Sequence, residues 1–207
     1  MKPLIALLVL SFACLISCKN RAPITTPGNE IPEQFSPSAE NQASPSVQDA
    51  DQALRDAAFE GNLQTVKQLL SGKADVTSTD EDGRTALMLA SYNGYTDIAK
   101  LLVTSGSRIN ELDKEGRSAL MYASTGNFPE TVRLLLNNGA KINLADTKEH
   151  FTALMFAASE GQTEVARILL EHGADRSMKD VDGDSALSFA RQNKHEEMAK
   201  LLESWNK

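Results

Sequence analysis

Apolar and small residues occur along this chain in paired short blocks. One pair runs Ala86-Leu87-Met88-Leu89-Ala90 and, after a polar turn, Ile98-Ala99-Lys100-Leu101-Leu102. Leu87, Ala90, Ile98, Leu101 and Leu102 fall at helical spacing, which predicts two amphipathic helices with their apolar stripes turned toward neighbouring elements. The second block returns as Val132-Arg133-Leu134-Leu135-Leu136, Val165-Ala166-Arg167-Ile168-Leu169-Leu170 and Met198-Ala199-Lys200-Leu201-Leu202. The first is introduced each time by a near copy of one heptapeptide: Asp82-Gly83-Arg84-Thr85-Ala86-Leu87-Met88, Glu115-Gly116-Arg117-Ser118-Ala119-Leu120-Met121, Glu149-His150-Phe151-Thr152-Ala153-Leu154-Met155 and Asp182-Gly183-Asp184-Ser185-Ala186-Leu187-Ser188. The copies start 33 or 34 residues apart.

A period of that length marks a stacked-repeat solenoid. A fifth, N-terminal copy lacks the opening turn but keeps Ala53-Leu54-Arg55-Asp56-Ala57-Ala58, Gly61 and Val66-Lys67-Gln68-Leu69-Leu70. Each helix spans only about ten residues, below the roughly 12 to 15 needed for marginal stability alone, so order must come from packing on neighbouring repeats. The turn between the helices carries Gly61, Gly94, Asn127, Gly161 and Lys194, a series suited to positive φ until Lys194, where the last repeat is expected to fray. Asp51, Thr96 and Thr163 are candidate helix N-caps, and Pro129 suits a first helical turn.

These motifs resemble the ankyrin-repeat family over residues 50–207. The family's Thr-Pro-Leu-His opening is matched by Thr85-Ala86-Leu87-Met88, and its second-helix ending by Leu169-Leu170-Glu171-His172-Gly173-Ala174-Asp175. The resemblance implies an all-α solenoid of helix-turn-helix units with β-hairpin-like turns, with repeats at about 50–82, 83–115, 116–149, 150–182 and 183–207. Ala in place of Pro, and Met or Ser in place of His, imply a lost hydrogen bond and modest stability per repeat.

Ahead of the repeats, residues 1–17 read as an export signal, with Lys2 as its charge and Leu4 to Ile16 as its apolar region. A membrane-spanning helix is the competing reading, but the apolar run falls well short of the roughly 20 residues a bilayer requires. Leu15-Ile16-Ser17-Cys18 resembles the bacterial lipoprotein box, which implies diacylation of Cys18; a plain secretory signal is the alternative. Lys19 follows in place of an inner-membrane retention Asp, so by analogy the expected location is the periplasmic side of the outer membrane. Residues 18–49 hold five of the chain's seven prolines and few apolar residues, and are expected to form a disordered tether.

The repeats contain no cysteine, and the chain's two, Cys14 and Cys18, leave no pair for a disulfide once the signal is removed. Removing residues 1–17 leaves 20 basic against 28 acidic side chains, or −8. That balance argues against nucleic acid, and the lipid is the only membrane contact expected. Of the three histidines, His172 reads as a helix-end residue, His150 as a substitute for a turn glycine in a hairpin one residue longer than its neighbours, and His195 as part of a solvated helix start. None share the spacing of a zinc site. Asp180-Val181-Asp182-Gly183-Asp184 has Ser185 and Arg191 where a calcium loop needs Gly and Glu. Asp80, Asp113, Asp146 and Asp180 recur once per repeat, as a structural turn acid would. With no nucleophile motif or phosphate loop, no enzyme activity and no cofactor are expected.

The surface that the repeat pattern does not require remains. The family's partners commonly dock on the hairpin tips and the exposed side of the first helix. Carried onto matching positions, that surface comprises Phe59, Glu81, Asp82, Arg84, Tyr92, Asn93, Lys114, Glu115, Arg117, Lys148, Glu149, Phe151, Glu160, Asp182 and Asp184. The expectation is a monomeric, non-catalytic binding module for a periplasmic protein, of accessory or immunity type, with a structural scaffold or self-associating component as the alternative.

Overall fold

Thr85, Ser118, Thr152 and Ser185 each end a hairpin in extended backbone, and each hydroxyl accepts the amide three residues ahead, from Met88, Met121, Met155 and Ser188. That bond satisfies one of the amides a helix start leaves unpaired. In three of the repeats it is reciprocated: the amides of Thr85 and Ser118 donate to the sulfurs of Met88 and Met121, and that of Ser185 to the Ser188 hydroxyl. The hydrogen bond that the family comparison implied was lost is therefore partly replaced, by a weak sulfur acceptor on a side chain that also fills the core.

The computed structural model describes residues 47–205. The export signal, Cys18 and most of the expected tether lie outside the described residues. Five helix pairs follow: α1 (Val47–Glu60) and α2 (Leu63–Ser71), α3 (Ala86–Tyr92) and α4 (Thr96–Thr104), α5 (Ala119–Ser124) and α6 (Pro129–Asn137), α7 (Ala153–Ser159) and α8 (Thr163–Glu171), α9 (Ala186–Gln192) and α10 (Glu196–Ser204). Odd-numbered helices pack in one row and even-numbered helices in a second. Among the described residues there are no strands, only isolated antiparallel bridges at Thr79 with Thr85 and Ala145 with Thr152. The all-α solenoid with hairpin-like turns is thus as the sequence predicts.

The core is a set of columns running along the stack. Ala57, Ala90, Ala123, Ala157 and Ala190 form one column, and Leu54, Leu87, Leu120 and Leu154 another, all buried. In the second row Ile98, Leu102, Leu135, Val165, Leu169, Met198 and Leu202 are buried, while Leu101 is half-buried at the edge. Thr131 takes the place of Ile98 in its repeat and is fully buried, its hydroxyl 2.7 Å from that of Thr96. A buried hydroxyl without a partner would cost about 1 to 3 kcal/mol, so the pair explains why threonine is tolerated there.

The turn series has positive φ at Gly61, Gly94 and Gly161, as expected, and keeps it at Lys194, although lysine there departs from the residue types suited to that conformation. Asn127 does not adopt it. In the other four repeats the residue two beyond the turn's turning point, Leu63, Thr96, Thr163 or Glu196, donates its amide to that residue's carbonyl. The equivalent residue here is Pro129, which has no amide, so the turn relaxes into a different shape and α5 ends a residue early. Pro129 itself opens α6, as expected.

Gly161 is required for close approach as well as for its φ. A Cβ there would stand 2.7 Å from the ring of His195, which lies across it from the next repeat. His195 also reaches the Ser159 carbonyl with Nε2 at 3.0 Å. It is therefore an inter-repeat packing residue and not part of a solvated helix start. His150 adopts a φ of 59° in its hairpin, as a glycine substitute must. His172 caps the end of α8, with Nδ1 2.8 Å from the Ile168 carbonyl.

Thr96 and Thr163 are first helical residues rather than N-caps; Tyr95 and Gln162 occupy the cap positions and make no side-chain cap bond. Asp51 is likewise inside a helix, because α1 begins at Val47 and so extends into the segment assigned to the tether. The extension substitutes for the hairpin that the first repeat lacks. Asp51 accepts the Asp75 amide at 2.7 Å, and the buried Arg55, in the column position of Met88, donates to Ser78 at 2.7 Å and Gln52 at 2.8 Å.

Because each pair depends on its neighbours, truncating a central column residue should loosen the whole stack. Leu135 has no solvent exposure, and Leu135→Ala should cost about 2 to 5 kcal/mol. A circular-dichroism melt unchanged within about a degree, against the several degrees such a loss implies, would contradict this column assignment.

Candidate partner-binding surface

Each hairpin is organised by the aspartate at its base. One carboxylate oxygen accepts two backbone amides across the turn: Asp82 and Arg84 on Asp80, Glu115 and Arg117 on Asp113, Glu149 and Phe151 on Asp146, and Asp182 and Asp184 on Asp180, at 2.7 to 3.2 Å. These are the structural turn acids expected from their recurrence. Adjacent hairpins are joined through the backbone: Lys114 donates to the Asp82 carbonyl at 2.9 Å, Thr147 to that of Glu115 at 2.8 Å, and Val181 to that of Glu149 at 3.1 Å. The fingers are thus held at fixed spacing, with their tips exposed.

In two fingers an arginine takes up the other carboxylate oxygen. Arg84 Nε lies 2.8 Å from Asp80 Oδ2 and its terminal nitrogen 3.1 Å from Asp82. Arg117 repeats the arrangement with Asp113 at 3.2 Å and Glu115 at 2.9 Å, and its guanidinium lies 5.1 Å from the centre of the Tyr122 ring. The Tyr122 hydroxyl donates to Asp113 Oδ2 at 2.7 Å, and the Tyr92 ring meets Tyr122 edge-on at 6.0 Å between centroids. Burial, and then the hydrogen bond to Asp113, push the Tyr122 phenol well above its usual range. Tyr92, Arg117 and Tyr122 therefore belong to one half-buried network that spans two repeats, and Arg84 in the preceding finger lies near enough to act electrostatically on the Tyr122 phenol.

The other expected site residues divide sharply. Glu81, Asp82, Lys114, Glu115, Lys148, Glu149, Glu160 and Asp182 are exposed, and Asp184 is half-buried with its carboxylate accepting from Gln192 at 3.2 Å. Phe59 is 47% exposed on the same side of the first-helix row. Asn93 is half-buried and donates to the Phe59 carbonyl at 2.8 Å, as Asn193 does to that of Ser159, so the fold itself uses this residue. Phe151 is only 9% exposed, with its ring 4.7 Å from that of Phe189 and 5.4 Å from that of Phe156. It is a packing residue between repeats and not a free anchor. Burying a ring removes far more apolar area from water than an exposed tip offers, and that gain outweighs display.

Sequence reasoning missed Tyr122 and Phe156. Both stand four residues after the capping Ser or Thr, where the other repeats carry Leu89 and Phe189. Aligning the repeats by their caps reveals this column, which lies between the fingers and the Tyr92 position. Leu112, Val181 and Tyr95 are further exposed apolar residues outside the expected set. Arginine, tyrosine and phenylalanine with directed polar groups make the surface suited to gripping another protein.

Tyr122→Phe tests the network. It should cost about 1 to 2 kcal/mol at neutral pH, because Asp113 loses a donor inside a half-buried cluster while the ring is retained. The folded phenol titrates above its unfolded value of 10.0, so this stabilisation is complete below pH 10 and is lost as the pH rises past it. Thermal melts of the two proteins should converge above about pH 10; a constant difference would contradict the assigned hydrogen bond.

No curated protein matches the chain. A family model described as ankyrin repeats in three copies matches residues 54–146 and 144–206. Since these segments take in most of the chain and coincide with the helix pairs and fingers described above, the protein belongs to the ankyrin-repeat family, whose arrays serve as protein–protein interaction modules and are generally non-catalytic.

Proposed function

We propose that this protein is an exported, lipid-anchored ankyrin-repeat module that binds a protein of the bacterial periplasm, through the finger tips and first-helix row, as an accessory or immunity factor. The observation that carries the binding part is the Tyr92–Arg117–Tyr122 network with Arg84 near it, which concentrates interface-type side chains on one side of a stack that does not need them for its core. Support for the envelope location comes from Leu15-Ile16-Ser17-Cys18 after a short apolar run, with a proline-rich stretch between it and the helices. No helix among the described residues is long and apolar enough to cross a membrane. The lipid on Cys18 is the anchor in this reading, and the outer membrane, facing the periplasm, is its location.

Crosslinking in the native envelope followed by mass spectrometry tests the reading directly, and recovery of this chain crosslinked only to itself would replace it with self-association. The anchor is tested separately. Cys18→Ser should release processed protein from the membrane fraction, whereas a wild-type protein already soluble and unacylated would remove the lipoprotein assignment. With a partner in hand, Tyr92→Ala and Arg84→Ala should each weaken binding by more than about 1 kcal/mol. Unchanged affinity for both would place the interface elsewhere on the chain.

A further inference from the structure

The four fingers share a backbone design but differ in how their acids are neutralised. In the fingers at 80–84 and 113–117, an arginine of the same finger lies between the base aspartate and a second carboxylate: Arg84 between Asp80 and Asp82, Arg117 between Asp113 and Glu115. In the third finger the arginine position is Phe151, which has turned away into the packing against Phe189. The matching acids remain. Asp146 is only 6% exposed, and its Oδ1 is occupied by the amides of Glu149 and Phe151, while Oδ2 accepts nothing among the described residues. Glu149 stands where Glu115 stands, exposed and without an ion pair among the described residues, and the half-buried ring of Phe156 takes the place of Tyr122 without a hydroxyl to offer Asp146. In the fourth finger the arginine position is itself acidic, Asp184, beside Asp180 and Asp182.

Resting on the binding role proposed above, we infer that the fingers at 146–151 and 180–184 with Phe156 form a docking site for a basic segment of the partner protein, whose arginine side chain supplies the cation that Arg117 supplies internally one repeat earlier. The chemistry of the slot is read from its occupied copy: a carboxylate at the hairpin base, a second carboxylate at the tip and an aromatic ring beside them hold a guanidinium by ion pairing and ring contact. An inorganic cation fits the site poorly. Among the described residues no three acidic or histidine side chains converge as metal ligands, and the acids are instead spread along two fingers, as an extended basic chain would meet them.

The test uses the folded protein and a probe of defined chemistry: an unstructured peptide carrying arginines separated by alanines, compared with the same peptide carrying neutral citrulline. In nitrogen-15 correlation spectra the arginine peptide should shift the amides of Glu149, Phe156 and Gly183, the citrulline peptide should not, and the affinity should fall steeply with added salt. Asp184→Arg gives the 180–184 finger a cation of its own, as Arg84 does for its finger, so it should remove the Gly183 shift and weaken binding without lowering the melting temperature, and Glu149→Lys should weaken binding on the order of tenfold. Shifts confined to the fingers at 80–84 and 113–117, equal shifts with both peptides, or unchanged binding by Asp184→Arg and Glu149→Lys would each overturn the inference. The two readings separate once a partner is recovered: binding that is lost in Tyr92→Ala but intact in Asp184→Arg and Glu149→Lys retains the interaction role and removes this site, whereas binding that is indifferent to all of them removes both.

Discussion

The whole structure depends on the close approach of one first helix to the next. Helices such as α3 or α5, with seven and six residues, cannot persist alone, so every hydrogen-bonded turn in the stack is conditional on burial against a neighbour. The alanine column from Ala57 to Ala190 allows that approach, because a side chain with a single carbon lets the flanking leucine and methionine columns interlock. The period of 33 or 34 residues is the sequence-level expression of this constraint. Each repeat must return the chain to the same column before the next contact is made.

Once the rows are in register, the loops follow from it. The finger amides pair with the preceding finger, and Asn110 and Asn143 hold the amides of Lys141 and Asp175 in the following repeat. His195 lies across Gly161 in the same sense. The third repeat shows how much local departure this tolerates: Pro129 removes the bond that shapes the other turns and Asn127 leaves the left-handed region, yet Val132 and Leu135 remain fully buried. Burial of α6 therefore does not depend on the geometry of its approach. Packing of the apolar stripe dominates a single turn hydrogen bond, whose net worth is only about 1 kcal/mol.

The columns were legible in the sequence because their physics is periodic. Leucine and alanine positions repeat with the helix and again with the repeat, so two independent regularities point to the same residues. Features that break one regularity were not legible. Thr131 is polar at an apolar position, and only its distance to Thr96 across the interface makes it a core residue. Arg55 is charged at a methionine position, and it is accommodated by Ser78, 23 residues away. Phe151 aligns with Arg84 and Arg117, which marks its position as surface, whereas its burial depends on the ring of Phe189 in the following repeat. The N-cap assignments failed for a related reason: Thr96 and Thr163 have capping chemistry, but the turn places them one residue too late, and their hydroxyls approach the carbonyls of Gly94 and Gly161 instead.

That substitution at one aligned position also sets the character of the binding surface. With arginine there, a finger is internally neutralised, and its guanidinium is committed to two carboxylates and, in the 113–117 finger, to a tyrosine ring. With phenylalanine there, the finger contributes to the core and leaves its acids without that cation; with aspartate it adds to them. The change falls between the second and third fingers, so the stack presents two fingers whose base acids are paired with an arginine of their own and two that carry no such arginine, on the same backbone design. Because backbone hydrogen bonds fix the spacing between fingers, the two pairs are presented together as one preorganised surface, and little conformational entropy need be lost there when a partner is bound.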